Sequence, residues 1–293
     1  MLPKSISFIG CFSAFHTETE ICTYLELAGH KVDRYHFSSL DLEKFKNRAG
    51  RYDMVITSLP QVFPPDFWRE VSKSGPSLIA WYFDWIKNYH GRDKDYLLRL
   101  KEFDLVLSTD GFENSVYAGL NRHWLPHACD PKVYFPVESQ PLNDIGFIGH
   151  IYEPRRRTMI QNLIKKYDFR MYGLFDDCWG PAYSKACNNV KIMVGDNMRN
   201  DIPGYWSDRL YLAESCGAFL LYPRVEGIER FFTDGEHLVL YDSVDDLYQK
   251  INYWLPREDE RKRIALDGSA HARLNHSWQI RVKEFDAICD WAL

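Results

Sequence analysis

Two short runs in the first half of this 293-residue chain carry side chains that could do chemistry. The first, Phe12-Ser13-Ala14-Phe15-His16-Thr17-Glu18, follows a strand-like stretch and leads into a helix. A helix start presents free N–H groups that can hold an anion or a hydroxyl, and an imidazole beside them can act as acid, base or hydrogen-bond donor. The second, Trp81-Tyr82-Phe83-Asp84-Trp85, sets one carboxylate amid four rings. Apolar surroundings raise a carboxyl pKa, and flat rings form a platform for a planar or sugar-like ligand. His16 and Asp84 are therefore the candidate catalytic groups, weighed against a loop histidine with no role and an aspartate that only caps the next segment. The Rossmann pattern G-x-G-x-x-G is missing, which argues against a dinucleotide.

Such groups act only where strands and helices hold them. Short apolar runs alternate with amphipathic stretches from the first residue, the pattern of a parallel sheet covered by helices. Strands are predicted at Ile6–Cys11, Lys31–His36, Asp53–Ser58, Ser77–Phe83, Asp104–Ser108 and Arg122–Leu125. Helices are predicted at His16–Gly29, opened by a Thr17 and Glu20 capping pair, and near Asp66–Ser74 and Asp93–Glu102. Pro131, Pro136 and Pro141 interrupt any periodicity from His127 to Asn143, which reads as a linker. A second series follows, with strands at Asp144–Ile148, Phe169–Tyr172, Val190–Val194, Ala218–Tyr222 and His237–Leu240. Its helices fall at Arg155–Lys166, Tyr205–Cys216, Ile228–Thr233, Val244–Trp254, Arg257–Arg273 and Ser277–Trp291. The expected fold is α/β, two facing Rossmann-like doubly wound domains at 1–140 and 141–275, with a last helix at 276–293 crossing back to the first. Ligands of such sheets sit at the carboxyl ends of the strands, so the cleft between the domains is the expected site.

Composition narrows the function classes. A net charge of −5 with 45% hydrophobic residues describes a well-cored globular chain, and the segments on either side of Gln140 are both slightly acidic, −2 and −3. No broad phosphate-neutralising surface is expected. Seven cysteines without a C-x-x-C read as reduced thiols rather than disulfides or a zinc site. No leader-like segment or apolar stretch long enough to span a membrane is seen, and a cytoplasmic protein is expected. Aromatic residues make up 15% of the chain, a content that can line carbohydrate clefts but more often serves packing.

The second half carries the most specific pattern. The run from Val194 to Pro223, which includes Asp208, Arg209, Glu214 and Cys216-Gly217-Ala218-Phe219-Leu220-Leu221, is followed by Val225-Glu226-Gly227-Ile228-Glu229-Arg230-Phe231. Before it stand Asp144-Ile145-Gly146-Phe147-Ile148-Gly149 and Pro154-Arg155-Arg156. Together they resemble the nucleotide-sugar-binding half of GT-B glycosyltransferases, most closely the CgeB-like branch. The resemblance implies transfer of a sugar from a nucleoside-diphosphate sugar, first of all a UDP-sugar, with retention of configuration and without metal or cofactor. It implies that Glu214 accepts both ribose hydroxyls, a bidentate task suited to a carboxylate. It also implies that Gly149, Gly227 and the start of the helix carrying Glu229 offer backbone to the diphosphate or sugar, and that Arg209 and Arg155 neutralise the departing diphosphate. The chain departs from the two-glutamate pattern of retaining relatives by having Trp206 eight positions before Glu214, so Asp208, Asp201 or Glu226 is expected to replace the missing carboxylate. Asp93-Lys94-Asp95 has the D-x-D spacing by which another glycosyltransferase fold holds a metal, but at a helix start in the wrong domain it reads as a cap. Arg155-Arg156-Arg157 with Lys165 and Lys166 reads as a solvated basic helix face. Two alternatives remain: a phage-type enzyme acting on a modified nucleic-acid base, and a nucleotide-sugar-binding or coat protein without catalysis. The acceptor stays open among glycan, protein, small molecule and DNA base.

Overall fold

The structure, a computed structural model, describes residues 2–86, 93–113, 115–173 and 178–293, with residues 93–95 described in backbone only. Contacts divide the chain into two compact units, one of Met1–Pro126 with Trp278–Leu293 and one of His127–Ser277. Each has a parallel sheet, as the alternation of apolar and amphipathic segments requires.

In the first unit, strands β1 (Ser5–Gly10), β2 (Lys31–His36), β3 (Met54–Thr57), β4 (Ser77–Tyr82), β5 (Leu105–Ser108) and β6 (Arg122–Trp124) form a sheet in the order β2-β1-β3-β4-β5-β6. Helices α1 (Thr17–Leu27), α2 (Leu42–Ala49), α3 (Pro65–Lys73) and α4 (Asp93–Leu100) connect them. The eight-residue α2 was not expected from the sequence; Asp41 caps it by accepting from Lys44 N at 3.1 Å. The cap of α1 also differs from the Thr17 and Glu20 pair. His16 is the N-cap, and Glu20 instead accepts from Trp278 Nε1 at 2.7 Å, which ties the last helix to α1. Trp81 completes that seam by stacking on Phe285 at 5.2 Å.

The second unit has β7 (Asn143–Ile148), β8 (Phe169–Tyr172), β9 (Val190–Val194), β10 (Leu220–Pro223) and β11 (Val239–Tyr241) in the order β11-β10-β9-β7-β8. Helices α5 (Pro154–Lys166), α6 (Pro181–Asn188), α7 (Asp208–Ser215), α8 (Val244–Trp254) and α9 (Glu258–Asn275) belong to it, and α10 (Trp278–Ala292) belongs to the first unit. Met159, Ile160 and Leu163 of α5 share one core with Leu247 and Ile251 of α8 and Ile264 of α9. The boundary lies at Pro126 rather than Gln140, because residues 127–140 pack into the second unit instead of running free. Tyr134 is buried against Tyr183, and Ser215 Oγ donates to its carbonyl at 2.6 Å. The helix expected at Tyr205–Cys216 is shortened to Asp208–Ser215, and that expected at Ile228–Thr233 is a single 3₁₀ turn, Ile228–Arg230.

Candidate functional site

The carboxyl ends of β7, β9 and β10 bring together loops that are far apart in sequence. Asp196, just past β9, is fully buried and gathers them. Both its oxygens lie 3.0 Å from Arg155 Nη2; Arg156 Nε donates at 2.9 Å and Asn200 Nδ2 at 2.9 Å. Arg156 Nη1 reaches on to the carbonyl of His150, so one carboxylate locks the β7 loop to the β9 loop. Within the basic helix face Arg156 is the exception, buried in this lock, whereas Arg155, Arg157, Lys165 and Lys166 are exposed. Arg224, past β10, is committed in the same way, to Glu229 at 2.5 Å, Asp234 at 2.7 Å and Asp242 at 2.8 Å. Burial opposes its charge, yet the three carboxylates prevail and raise its pKa. A cavity of about 510 Å³ between these groups includes Arg155, Arg199, Arg224, Asp201 and Asp242 in its wall. Each of its three arginines faces a carboxylate.

Arg209 is different. It is half-buried at the start of α7, and its Nε is sealed from water with no acceptor among the described residues. Nη2 makes only a long contact, 3.5 Å, to the carbonyl of Asp196. The side chain lies over Gly149, where an added Cβ would come within 3.5 Å of Arg209 Cδ. Gly149 also holds φ at +131°, a conformation that disfavours any side chain. A buried N–H without a partner costs about 1–3 kcal/mol, so this one is poised to gain by meeting an anion. Asp208 spends its carboxylate locally, accepting from Arg209 N at 2.9 Å.

The other sequence-derived donor residues are placed less favourably. Glu214 lies in the last turn of α7, toward the end of the unit where strands begin, away from the carboxyl edge. It is fully buried, with both oxygens sealed and without a partner among the described residues. Its carboxyl is packed so tightly against Gly268 of α9 and the carbonyl of His237 that a Cβ on Gly268 would collide with both. Burial alone pushes its pKa well above the carboxylate range. This placement speaks against the expected ribose contact: on a helix running antiparallel to the strands, the C-terminal turn lies at the end away from the carboxyl edge. Gly227 holds φ at +91° and caps the 3₁₀ turn, but Glu229 is held by Arg224. Glu226 is exposed, and its carbonyl accepts from Gly204 N. Trp206 is buried, its Nε1 donating to Tyr211 Oη at 2.6 Å.

In the first unit, His16 is exposed at the N-cap of α1 without a side-chain capping bond. Asp84 is exposed past β4 rather than enclosed. Successive strand residues point to opposite faces, so Trp81 packs on Phe285 while Tyr82 packs on Tyr96. Two carboxylates are buried and held at this edge: Glu18, which accepts from Ser58 Oγ at 2.8 Å, and Asp110, which accepts from Ser108 Oγ at 2.8 Å and Tyr117 Oη at 2.9 Å; of the two, Glu18 lies in the loop run that carries His16. Sequence reasoning missed this role, although Glu18 follows His16 by two positions and so turns inward from the first turn of α1. Asp93, Lys94 and Asp95 begin α4, and their side chains lie outside the described residues. Among the described residues no group of three or more histidine, cysteine or acidic side chains is arranged to hold a metal ion. All seven cysteines are free thiols.

Residues 155–287 match the profile of a family described as glycosyl transferase-like. No curated protein is significantly similar in sequence. The whole fold resembles that of Anabaena Alr3699/HepE, solved with UDP and glucose, at 12% identity and a TM-score of 0.69, covering 98% of this chain and 99% of that one. It also resembles the DNA-modifying β-glucosyltransferase, solved with and without uridine diphosphoglucose, at 12% identity and a TM-score of 0.65 over 98% and 99% of the two chains. The lipopolysaccharide outer core galactosyltransferase WaaB in its apo form matches at 14% identity and a TM-score of 0.63 over 99% and 100%. The chain therefore has the GT-B fold of two parallel-sheet α/β domains.

Proposed function

We propose that the protein is a glycosyltransferase that moves a sugar from a nucleoside-diphosphate sugar, a UDP-sugar first of all, to an acceptor, with the donor held by the second unit. The observation that carries this reading is Arg209, the one arginine of the β7–β9–β10 edge whose buried Nε has no acceptor among the described residues. It lies beside Gly149 within the segment family resemblance marks for the donor, and the structural relatives solved with UDP or UDP-glucose support the choice of nucleotide.

In transfer, the bond between the anomeric carbon and the diphosphate oxygen breaks while a bond to the acceptor oxygen forms, and the acceptor proton must leave. Negative charge then grows on the diphosphate. A fixed cation in a water-poor setting stabilises that charge without reorganising, and here the guanidinium of Arg209 supplies it. Asp196 contributes indirectly by fixing the loop that carries the arginine's neighbours. The acceptor proton is assigned to the first unit, where Glu18 joins His16 and Asp84 as candidate base. Gly149, Gly227, Asp208 and Glu226 remain candidates for contacts to the sugar or diphosphate. Metal-independent transfer, retention of configuration and membership of the CgeB-like branch rest on the motif resemblance. No helix among the described residues is long and apolar enough to cross a membrane, and the seven thiols suit a reducing compartment such as the cytoplasm.

A thermal-shift screen of nucleoside-diphosphate sugars tests the proposal, since a ligand of the native state raises its melting temperature. UDP-sugars should stabilise the wild type and stabilise Arg209→Gln much less. Equal shifts in both proteins would sink the assignment of Arg209. No shift with any sugar nucleotide would count against the function itself. Product anomers read by NMR decide between retention and inversion.

A further inference from the structure

A second cavity, of about 300 Å³, lies at the opposite end of the second unit, where β9 and β10 begin. That volume is at the lower limit for small-molecule sites. Val190, Phe219 and Ala265 give it an apolar wall, and Lys191, Arg261 and Lys262 a mostly cationic one that also holds a single carboxylate, Glu258. The charges do not cancel. Lys191 Nζ lies 2.7 Å from Asp144 and Lys262 Nζ 2.6 Å from Glu258, so each lysine has one carboxylate. Arg261, only 6% exposed, has no carboxylate within ion-pair distance among the described residues. Its Nη1 donates to the carbonyls of Trp254 and Leu255, closing the end of α8, whereas Nε and Nη2 enter no hydrogen bond among the described residues. Burial pulls the guanidinium below its ordinary pKa, and Glu258 and Asp144 only partly oppose this. A largely buried cation whose nearest carboxylates, Glu258 and Asp144, are each already paired with a lysine is only partly compensated, and an anion entering beside it makes up the difference.

We propose that this cavity binds a small phosphate ester, its phosphate on Arg261, Lys191 and Lys262 and its organic part on Val190, Phe219 and Ala265. A guanidinium fork with two flanking point charges suits the several oxygens of a phosphate better than the two of a carboxylate. The apolar wall favours an ester over inorganic phosphate. Because the cavity lies at the amino ends of the strands, it is separate from the Arg209 edge and does not depend on the donor assignment.

Calorimetry on the full chain, with phenyl phosphate as probe and UDP beside it, tests the site. Phenyl phosphate should bind the wild type more tightly than inorganic phosphate does. Replacing both exposed lysines, Lys191→Met with Lys262→Met, should weaken it by about 10-fold or more, the scale of lost charge-assisted hydrogen bonds. Arg209→Gln should leave phenyl phosphate binding intact while weakening UDP. Arg261→Met should also weaken the probe, and if that variant does not fold, the double lysine variant decides. Absence of binding at millimolar probe, binding indifferent to the lysine replacements, or binding lost with Arg209→Gln would each overturn the proposal.

Discussion

Replacing Glu214 by glutamine removes a titrating group whose position in the fold makes a specific demand on pH. Both carboxyl oxygens are sealed, no cation or donor meets them among the described residues, and burial raises the pKa well above its ordinary 4.5. An isolated carboxylate in such a place would cost several kcal/mol, so the group stays protonated instead. Below about pH 4.5 the carboxyl is protonated in the folded and the unfolded chain alike, and it does not affect the pH dependence. As pH rises, the unfolded chain releases this proton while the folded protein retains it. Stability contributed at this position therefore falls by about 1.4 kcal/mol per pH unit until the buried group itself titrates. Glutamine keeps the shape, lacks the ionisation, and can offer its amide to the nearby His237 carbonyl. Its stability relative to wild type should therefore climb from its value near pH 4.5 by about 1.4 kcal/mol with each pH unit above. Urea unfolding of both proteins at about pH 4.5, 5.5 and 6.5 measures this, and the difference between the two cancels the other titrating groups. A difference that stays constant with pH would refute the protonated, buried carboxyl. Donor affinity supplies the second readout: Glu214→Gln should bind UDP-sugar as the wild type does, and a tenfold loss would return Glu214 to the donor site.

Arg209→Gln should weaken UDP-sugar binding by about 1.5–3 kcal/mol, the scale of a hydrogen bond to a charged group, with an unchanged circular dichroism spectrum; unaltered calorimetric affinity would exclude the contact. Asp196→Ala leaves Arg155 and Arg156 without their shared carboxylate and should cost about 3–5 kcal/mol in urea unfolding, whereas a loss below about 1 kcal/mol would show that the lock is ornamental. Glu18→Gln should cut single-turnover transfer by about 10²- to 10⁴-fold with donor affinity retained if it takes the acceptor proton. Asp84→Asn and His16→Ala, measured beside it, compete for that role, and whichever variant alone shows the loss identifies the base.

Much of this protein could be read along the chain, because alternating apolar runs and amphipathic stretches report local periodicity and the central strands β1, β3, β4, β5, β7, β9 and β10 bury most of their own runs. Strands β1 to β11 fall within a few residues of their expected places, and the division into two parallel α/β series follows from the same alternation. The short helices α2 and α6 escaped notice, since eight residues give barely two turns of pattern. The site was legible only as a set of candidates. In sequence, Arg155 and Arg209 are equivalent arginines near predicted helix starts; Asp196 makes the first a structural group by taking its charge and leaves Nε of the second without an acceptor. Glu214 shows a different limit: the last turn of a helix that leads into a parallel strand already falls at the amino end of the sheet, but a helical glutamate carries no mark of how completely other segments will close over it. Its protonation is decided by Gly268 and the His237 carbonyl, residues of other segments that close over it. Periodicity is a property of neighbours in the chain and survives in the sequence, whereas the energy of a charge depends on neighbours in space, which only the folded packing brings together.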